Sequence, residues 1–411
     1  VLVKTFFLFS TALSNYFKSV SRTKDHTMVK EIFWRLPTHG DSGLTALGLY
    51  QSTGTGRPYG YWQDGDGVSR DRRDRYSYGD YLARVTKAAE TTGFDGVLLP
   101  PVPSGDEPFI TAGSLLRETK NLKFLPSFHT AIGKPVHISR QTATLGRHSG
   151  GRIEWNILTG ENEILQRRQG DFTSLTERIT RNEEFIDIAR GVFTSQDFSY
   201  NGAIYQVDQG GLQKHLVPYG TPRIFLSGTS SKSLTLAAHK ADVYLSRLLP
   251  ELLLRKNINI LKEKASSVGR ALSVALRADV IIRPTKEEAL SYARYLHENQ
   301  HGNPEQWPLS TVEELDGLHD EQEALAPWHR QSNFEDRFID ETLFVSRGLT
   351  RNTAAITFVG TAESVAERLL HYADGVADIL ILAAPGHLEE AYRTGEDLLP
   401  LLKSEAVKNA A

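Results

Sequence analysis

Short apolar runs alternate with segments of helical periodicity along most of the chain. The helical segments place apolar side chains three and four residues apart, as Leu82, Val85 and Ala89 do. Helices are predicted at residues 78–93, 109–119, 134–149, 177–193, 285–299, 361–373 and 389–402, and two more end near residues 241 and 268. The apolar runs, rich in β-branched and aromatic residues, predict buried strands at residues 31–37, 96–101, 122–129, 152–160, 223–227, 242–246, 273–282 and 377–382.

Eight apolar strands that alternate with helices predict a parallel sheet covered on both faces, and hence an α/β fold of the (β/α)8 TIM-barrel type. A plain barrel needs about 250 residues, whereas this chain has 411. We place the surplus in insertions near residues 43–77, 161–222 and 301–355, the second with a hairpin that turns at Asn201 and Gly202. A doubly wound open sheet is the alternative, but no strand is followed by the G-x-G-x-x-G turn of a dinucleotide site.

Composition narrows the class of protein. A net charge of -3, with no basic run that includes aromatic residues, argues against a nucleic-acid binder. The absence of cysteine excludes disulfides, thiolate metal sites and a cysteine nucleophile. Because no apolar run reaches the roughly 20 residues that span a bilayer, we expect a soluble, cytoplasmic protein.

The first residues differ from the rest of the chain. Residues 1–20 contain a short apolar stretch that resembles a weak secretory signal, but charged residues follow it without a clear cleavage site. Met28 is the only methionine, and periodic structure starts just after it. We therefore expect residues 28–411 to form a single barrel domain and residues 1–27 to be a disordered or non-native extension. A genuine targeting segment is the alternative.

In a barrel, functional side chains belong at the carboxyl ends of the strands. Those ends present His39, the loop 100–107, His129, Asn156, Thr159, Thr229, Ser230, Ser246, Arg277 and residues 384–386. The fourth apolar run ends in polar residues. There, Asn156 and Thr159 either face a ligand or only satisfy backbone groups.

Residues 228–233, Gly-Thr-Ser-Ser-Lys-Ser, form a small hydroxyl-rich turn between the fifth strand and a helix. Free backbone N–H groups and the helix dipole at such a place suit a phosphate. A simple serine or threonine N-cap without any ligand is the alternative.

The sequence lacks the common hydrolytic and metal motifs. It contains no H-E-x-x-H, no G-x-S-x-G elbow and no P-loop. The pairs Glu287–Glu288 and Glu389–Glu390 are predicted to be solvated helix faces. A barrel with a phosphate turn and few acid–base groups suggests that a cofactor performs the difficult chemistry.

Seven stretches, between about residues 30 and 402, carry a family resemblance. They are residues 33–41, 96–100, 122–125, 140–145, 151–160, 358–360 and 387–393. In this order they resemble the bacterial luciferase-like flavin-dependent monooxygenases, and within that family alkanesulfonate monooxygenase.

The resemblance implies a (β/α)8 barrel that binds reduced FMN supplied by a separate NAD(P)H-dependent flavin reductase. It implies that O2 adds to the flavin and that the resulting peroxyflavin attacks a small organosulfur substrate. For an alkanesulfonate, cleavage of the carbon–sulfur bond gives an aldehyde and sulfite. The family also suggests a homo-oligomer, either a dimer or a tetramer.

The resemblance also assigns roles to single residues. It places Asn156, Thr159 and His129 at the flavin and Thr229, Ser230 and Ser233 at its phosphate. It makes His39 the active-site histidine after strand one, Arg277 a catalytic arginine, and Arg351, or alternatively Arg347, the arginine of a lid loop that contacts substrate. Arginine groups suit an anionic sulfonate because they offer several fixed donors.

The chain departs from the alkanesulfonate pattern around the substrate more than around the flavin. Gly105 stands where those enzymes have cysteine, Arg247 where they have tryptophan and Asp279 where they have histidine. Arg247 is either an additional substrate-binding cation or an exposed residue. Three alternatives stay open: a family monooxygenase with another substrate class, a deazaflavin-dependent oxidoreductase, and a flavin-binding barrel without catalysis.

Overall fold

The computed structural model describes residues 29–38, 78–101, 105–299, 319–346 and 355–408. Its strands, numbered in chain order, are β1 Glu31–Arg35, β2 Gly96–Leu99, β3 Lys123–Phe128, β4 Trp155–Leu158, β5 Tyr200–Asn201, β6 Gln206–Val207, β7 Ile224–Ser227, β8 Val243–Arg247, β9 Ser273–Ile282, β10 Leu343–Ser346, β11 Ala355–Gly360 and β12 Ile379–Ala383.

Eight of these strands close into a parallel barrel in the order β1, β2, β3, β4, β7, β8, β9 and β12. The circle closes because β12 pairs with β9 on one side and with β1 on the other. The predicted TIM barrel is therefore confirmed, and each of the eight predicted strands contributes one barrel strand.

Helices follow the strands and cover the outside of the barrel. They are α1 Tyr78–Thr91, α2 Pro108–Leu115, α3 Pro135–Ser149, α4 Glu163–Arg168, α5 Leu175–Thr194, α6 Ser231–Lys240, α7 Glu251–Ser267, α8 Lys286–Asn299, α9 His319–His329, α10 Ala362–Ala373, α11 His387–Arg393 and α12 Leu399–Lys408. The short α4 lies in the insertion 161–222, where the sequence predicts a helix only at residues 177–193. Asn162 starts it by accepting a hydrogen bond from the Leu165 amide.

The insertions lie only partly within the described residues. The segment 161–222 contains α4, α5 and the β5–β6 hairpin. The prediction of an Asn201–Gly202 turn is wrong, because Asn201 pairs within the ladder and the loop runs from Gly202 to Tyr205. Glu184 holds that loop, since its carboxylate accepts hydrogen bonds from the amides of residues 203–205. The extension 1–27 and the insertion 43–77 lie outside the described residues.

The barrel interior has an apolar middle. Side chains that alternate along the strands meet there, and the cluster consists of Phe33, Leu98, Leu125, Phe225, Val243, Leu245, Ala275, Ile379 and Ile381. Successive side chains of a strand face opposite sides, so the residue two positions beyond each of these also faces the barrel axis. This rule places Ser127, Ser227, Arg247 and Arg277 in the upper layer.

Four charged groups close the lower end of the barrel. The Arg223 guanidinium binds the Glu31 carboxylate, with its Nη1 3.0 Å from one oxygen, and also lies 3.0 Å from Glu154. Lys123 bridges the same two carboxylates at 3.2 Å and 3.6 Å. Burial raises the pKa of Glu154, whereas for Glu31 the burial effect is outweighed by Arg223 and Lys123, which lower its pKa. This network fixes the amino-terminal ends of β1, β3, β4 and β7.

Replacing Arg223 by methionine should lower the free energy of unfolding by about 2 kcal/mol, because Glu31 and Glu154 would be left side by side with Lys123 alone. Urea denaturation measures this loss. Arg147→Met, at an exposed position on α3, is the control and should stay within about 0.5 kcal/mol of the parent. An unchanged midpoint for the Arg223 variant would mean that the network adds no stability.

Two further strands extend the sheet above the barrel rim. Asp279 of β9 pairs with Ala383 of β12 on one side and with Thr357 of β11 on the other. β11 therefore takes the place beside β9 that β8 leaves after Arg247, and β10 pairs antiparallel with β11. The sequence pattern predicts an insertion at residues 301–355 and neither of these two strands.

Glu390 corrects one expectation from the sequence. Its side chain is buried, and it pairs with Arg283 at 3.1 Å and Arg393 at 2.5 Å instead of lying on a solvated face. Burial raises the pKa of Glu390. The Glu287–Glu288 pair is exposed as predicted.

Candidate functional site

A chain of polar side chains crosses three neighbouring strands just below the upper rim. Asn156 of β4 donates from Nδ2 to the Ser127 hydroxyl of β3 at 2.9 Å, and the Ser227 hydroxyl of β7 donates to Asn156 Oδ1 at 2.9 Å. Asn156 and Ser127 are buried. The amide of Asn156 is therefore fixed in one orientation inside the upper layer.

Thr159 lies one step higher, where β4 ends. Its amide and its hydroxyl both donate to the Ser227 carbonyl, at 3.1 Å and 3.2 Å. The buried Asn182 of α5 accepts a hydrogen bond from the Thr130 hydroxyl at 2.5 Å and lies 3.5 Å from the Thr159 carbonyl. These contacts hold the carboxyl ends of β3, β4 and β7 together.

An anion lies at the start of α6, and it belongs to the chain itself. The Glu161 carboxylate accepts hydrogen bonds from the Thr229 amide at 2.9 Å and the Ser230 amide at 2.7 Å. The hydroxyls of Thr229 and Ser233 donate to it at 3.0 Å and 2.6 Å. Ser230 also caps the helix, because its hydroxyl accepts from the Ser233 amide.

This donor set suits a phosphate. Two backbone amides, two hydroxyls and the positive end of a helix dipole converge on one point, and a carboxylate stands in there for an anion. Gly228 lets the chain turn closely past the site, since a Cβ there would lie 2.2 Å from Thr159 Oγ1. The residues present therefore fit the phosphate end of a flavin mononucleotide.

His129 follows β3 and is held in a neutral form. Its ring nitrogens lie 3.3 Å and 3.4 Å from Gln166 Nε2. Burial lowers the pKa of His129 to about 4, and the nearby Arg181 guanidinium contributes to this lowering. Arg181 itself pairs with Asp171 at 2.5 Å, which helps to lower the pKa of Asp171 to about 2.

The low pKa of His129 predicts a pH dependence of stability. Between about pH 6.5 and pH 4, His129 is protonated in the unfolded chain but not in the folded protein. The free energy of unfolding is therefore highest above this pH range and falls as the pH falls through it. From pH 7 to pH 5 the parent should lose about 2 kcal/mol more than His129→Gln in urea denaturation. His215→Gln, at an exposed position, should lose as much as the parent. Equal losses for parent and His129→Gln would contradict the assignment.

Two arginines lie side by side in the upper layer, on the two strands that follow β7 around the barrel. Arg247 of β8 and Arg277 of β9 are register partners in a parallel pair, so their side chains face the same way, and the alternation along both strands directs them to the barrel axis. Both side chains are partly buried. The alternative that Arg247 is simply an exposed residue is thus not supported. Ser246 alternates with Arg247 and donates to the Arg247 carbonyl.

The structure brings most of the described predicted site residues into one cluster and places the others on neighbouring strands. Asn156, Thr159, Thr229, Ser230 and Ser233 form one cluster around the ends of β4 and β7, with His129 beside it on β3. Arg247 and Arg277 lie on the next two strands around the barrel. His39, Arg347 and Arg351 lie outside the described residues. Asp279, which replaces a histidine of the alkanesulfonate pattern, is fully buried within the sheet.

Sequence reasoning missed Glu161. It lies in a polar stretch without periodicity, and its partners come 68 to 72 residues later. One signal was present: β4 and β7 are adjacent in a barrel, so the residues that follow β4 must lie near the turn that follows β7.

Other described parts of the molecule are weaker candidates for a functional site. A cavity of about 100 Å³ opens at the lower end of the barrel, between α3 and residues 216–223, away from these groups. Within the described ranges there is no group of three acidic or histidine side chains that could hold a metal ion. Over the same ranges, every helix is too short or too polar to cross a membrane.

Comparison with known proteins defines the class. The family model of luciferase-like monooxygenases matches residues 67–378. The chain belongs to this family and is a flavin-dependent monooxygenase.

Solved structures with the same fold are distant in sequence. A riboflavin lyase with modified FMN and riboflavin is 18% identical, covers 92% of both chains and has a TM-score of 0.71. EDTA monooxygenase from Chelativorans sp. BNC1 is 18% identical over 91% of this chain and 93% of its own, with a TM-score of 0.66. A long-chain alkane monooxygenase is 16% identical over 92% of each chain, with a TM-score of 0.64. At these identities the likeness establishes the fold alone.

Proposed function

We propose that this protein is the oxygenase of a two-component system, which uses reduced FMN and O2 to oxidise a small organosulfur anion. The substrate class that we infer is the alkanesulfonates, which would yield an aldehyde and sulfite. A separate NAD(P)H-dependent reductase would supply the reduced flavin, and the oxygenase would work as a homo-oligomer.

The observation that carries the proposal is the anion-binding donor set at the start of α6. Thr229, Ser230 and Ser233 together offer two amides and two hydroxyls to the Glu161 carboxylate. A phosphate ester could accept the same donors, and the site lies at the carboxyl ends of the strands, where barrel enzymes bind their ligands. Asn156 and Thr159 lie on the neighbouring strand and would then border the ring system of the cofactor.

The substrate class rests on Arg247 and Arg277. Two guanidinium groups that face the barrel axis lie next to the α6 cluster, on the two strands that follow β7 around the barrel. A sulfonate has three oxygens that accept hydrogen bonds from such planar donors, whereas an alkane has none. Bound reduced FMN supplies the electrons that activate O2. The chain's own residues hold the phosphate, orient the anion and exclude water, for which the upper layer provides a partly buried setting.

The proposal is tested with the purified protein, a flavin reductase, FMN and NADPH. We expect release of sulfite and an aldehyde that depends on an added alkanesulfonate, above the O2 consumption by free reduced FMN, and no product with the corresponding alkane. If another substrate is oxidised and no sulfite is released, the enzyme class stands and the proposed substrate is wrong. Turnover with a reduced deazaflavin but not with reduced FMN would favour the deazaflavin alternative.

The departures from the alkanesulfonate pattern favour one second candidate, a monooxygenase for a different anion. Arg247 and Asp279 both border the upper layer, and each differs from the residue expected for an alkanesulfonate enzyme. A panel of aminocarboxylates and other organic anions, with substrate consumption as the measurement, would separate this candidate from the first.

A further inference from the structure

We infer that Glu161 is an internal competitor for the flavin phosphate, so that this chain binds its cofactor weakly and releases it readily. The inference rests on the proposed function, because it concerns the same anion site. It adds a residue that controls which flavin binds and how long it stays.

Geometry gives the first argument. Both carboxylate oxygens of Glu161 lie 2.9 Å from the Thr229 amide, and one of them also lies 2.7 Å from the Ser230 amide and 2.6 Å from the Ser233 hydroxyl. Each of these N–H and O–H groups has one proton to donate. A phosphate that takes the same donors must therefore displace the carboxylate.

Charge gives the second argument. A carboxylate and a phosphate at hydrogen-bond distance from the same donors would lie within about 4 Å of each other, where like charges repel strongly in a partly buried site. The two anions therefore exclude each other. Phosphate binding at this site requires that the Glu161 side chain first move away.

The backbone around Glu161 permits that movement. On one side Thr159 is fixed to the Ser227 carbonyl, and on the other Asn162 caps α4. Gly160 between them has a φ of 77°, the left-handed region that glycine adopts without strain. Glu161 is partly exposed, so a change of side-chain rotamer carries the carboxylate into solvent while both anchors stay in place.

The expected consequence is an exchangeable cofactor. While Glu161 occupies the donors, the phosphate of FMN cannot bind them. The apparent affinity for FMN is therefore the intrinsic affinity multiplied by the fraction of time that the donors are accessible. Only a flavin that carries a phosphate can bind these donors. The advantage in affinity of FMN over riboflavin should therefore be smaller than the same donors would give without Glu161. Weak binding suits a cofactor that arrives from a reductase and leaves after oxidation.

The test is an anaerobic titration of the protein with reduced FMN and, separately, with reduced riboflavin. Tryptophan fluorescence monitors the binding. Glu161→Ala should bind reduced FMN about tenfold more tightly than the parent and riboflavin with unchanged affinity. Glu161→Gln keeps the size and removes the charge, and it should also bind FMN more tightly. Glu163→Ala is the matched control, because Glu163 is exposed and pairs with Arg167 on the surface of α4.

A thermal melt without ligand provides the second readout. Glu161→Ala should melt at a lower temperature than the parent, because the donors lose their acceptor, and reduced FMN should restore more of the difference than riboflavin does. If Glu161→Ala binds FMN no more tightly than the parent, Glu161 only connects the segment after β4 to the start of α6 by hydrogen bonds. The inference is then overturned. If the parent and all variants fail to bind FMN, the proposed function itself is wrong.

Discussion

Replacing Arg277 by alanine should lower kcat/KM for an alkanesulfonate by about 10²- to 10³-fold. Arg277 is the register partner of Arg247 and faces the barrel axis midway along β9, at the level where β8 ends. In a partly buried layer, a fixed guanidinium stabilises an anion more than it would in water, because less solvent screens the charge. The loss should appear mainly in kcat if Arg277 acts on charge that develops during the reaction, and mainly in KM if it only binds substrate.

The measurement is sulfite release at several substrate concentrations with a constant supply of reduced FMN. Arg277→Lys should recover part of the loss, because a point charge replaces some of the planar donors. Arg294→Ala removes an exposed arginine that pairs with Glu335 on the surface and should leave kcat/KM unchanged. If Arg277→Ala retained full turnover, Arg277 would have no role in the reaction.

The double variant Thr229→Ala, Ser233→Ala should weaken the binding of reduced FMN by about 10- to 100-fold. Both hydroxyls donate to the anion at the start of α6, and the Thr229 and Ser230 amides remain. The loss is smaller than the sum of two charge-assisted hydrogen bonds because Glu161 loses the same two donors and competes less well.

Riboflavin separates this effect from general damage. It has no phosphate, so its dissociation constant should be the same for the parent and the double variant in an anaerobic titration. Thr235→Ala is the control, since this hydroxyl lies one turn further along α6 and donates to the Ser231 carbonyl. An FMN affinity within twofold of the parent would show that the phosphate does not bind at this helix.

The barrel could be predicted because each of its strands has a strong local signal. Residues 273–282 form an unbroken strand in both the prediction and the structure, since β-branched and apolar residues predominate in it despite Arg277 and Asp279. β10 and β11 also contain apolar runs, such as Leu343-Phe344-Val345. We missed them because short apolar runs inside a long polar insertion do not reveal which strand they pair with.

The candidate site could be predicted in part for a related reason. Thr229, Ser230 and Ser233 are close in sequence, and their hydroxyls and the helix start beside them form a local pattern. Glu161 has no such pattern, because its role depends on the adjacency of β4 and β7 and on side-chain placement. The burial of Glu390 was missed likewise, since Arg283, which pairs with it, lies 107 residues away.

The β10–β11 pair has a consequence for how this protein can be redesigned. Ser346 and Ala355 are direct cross-strand partners, so the chain between them leaves and re-enters the sheet at one place. That place lies level with Arg277, because β11 and β9 run parallel and Thr357 pairs with Asp279 two residues further along each strand. Because the closure entropy of a loop grows only slowly with its length, segments of different length and sequence can be grafted between these two residues while the barrel keeps its register. The pair is thus a place where the connecting segment can be replaced without altering the barrel.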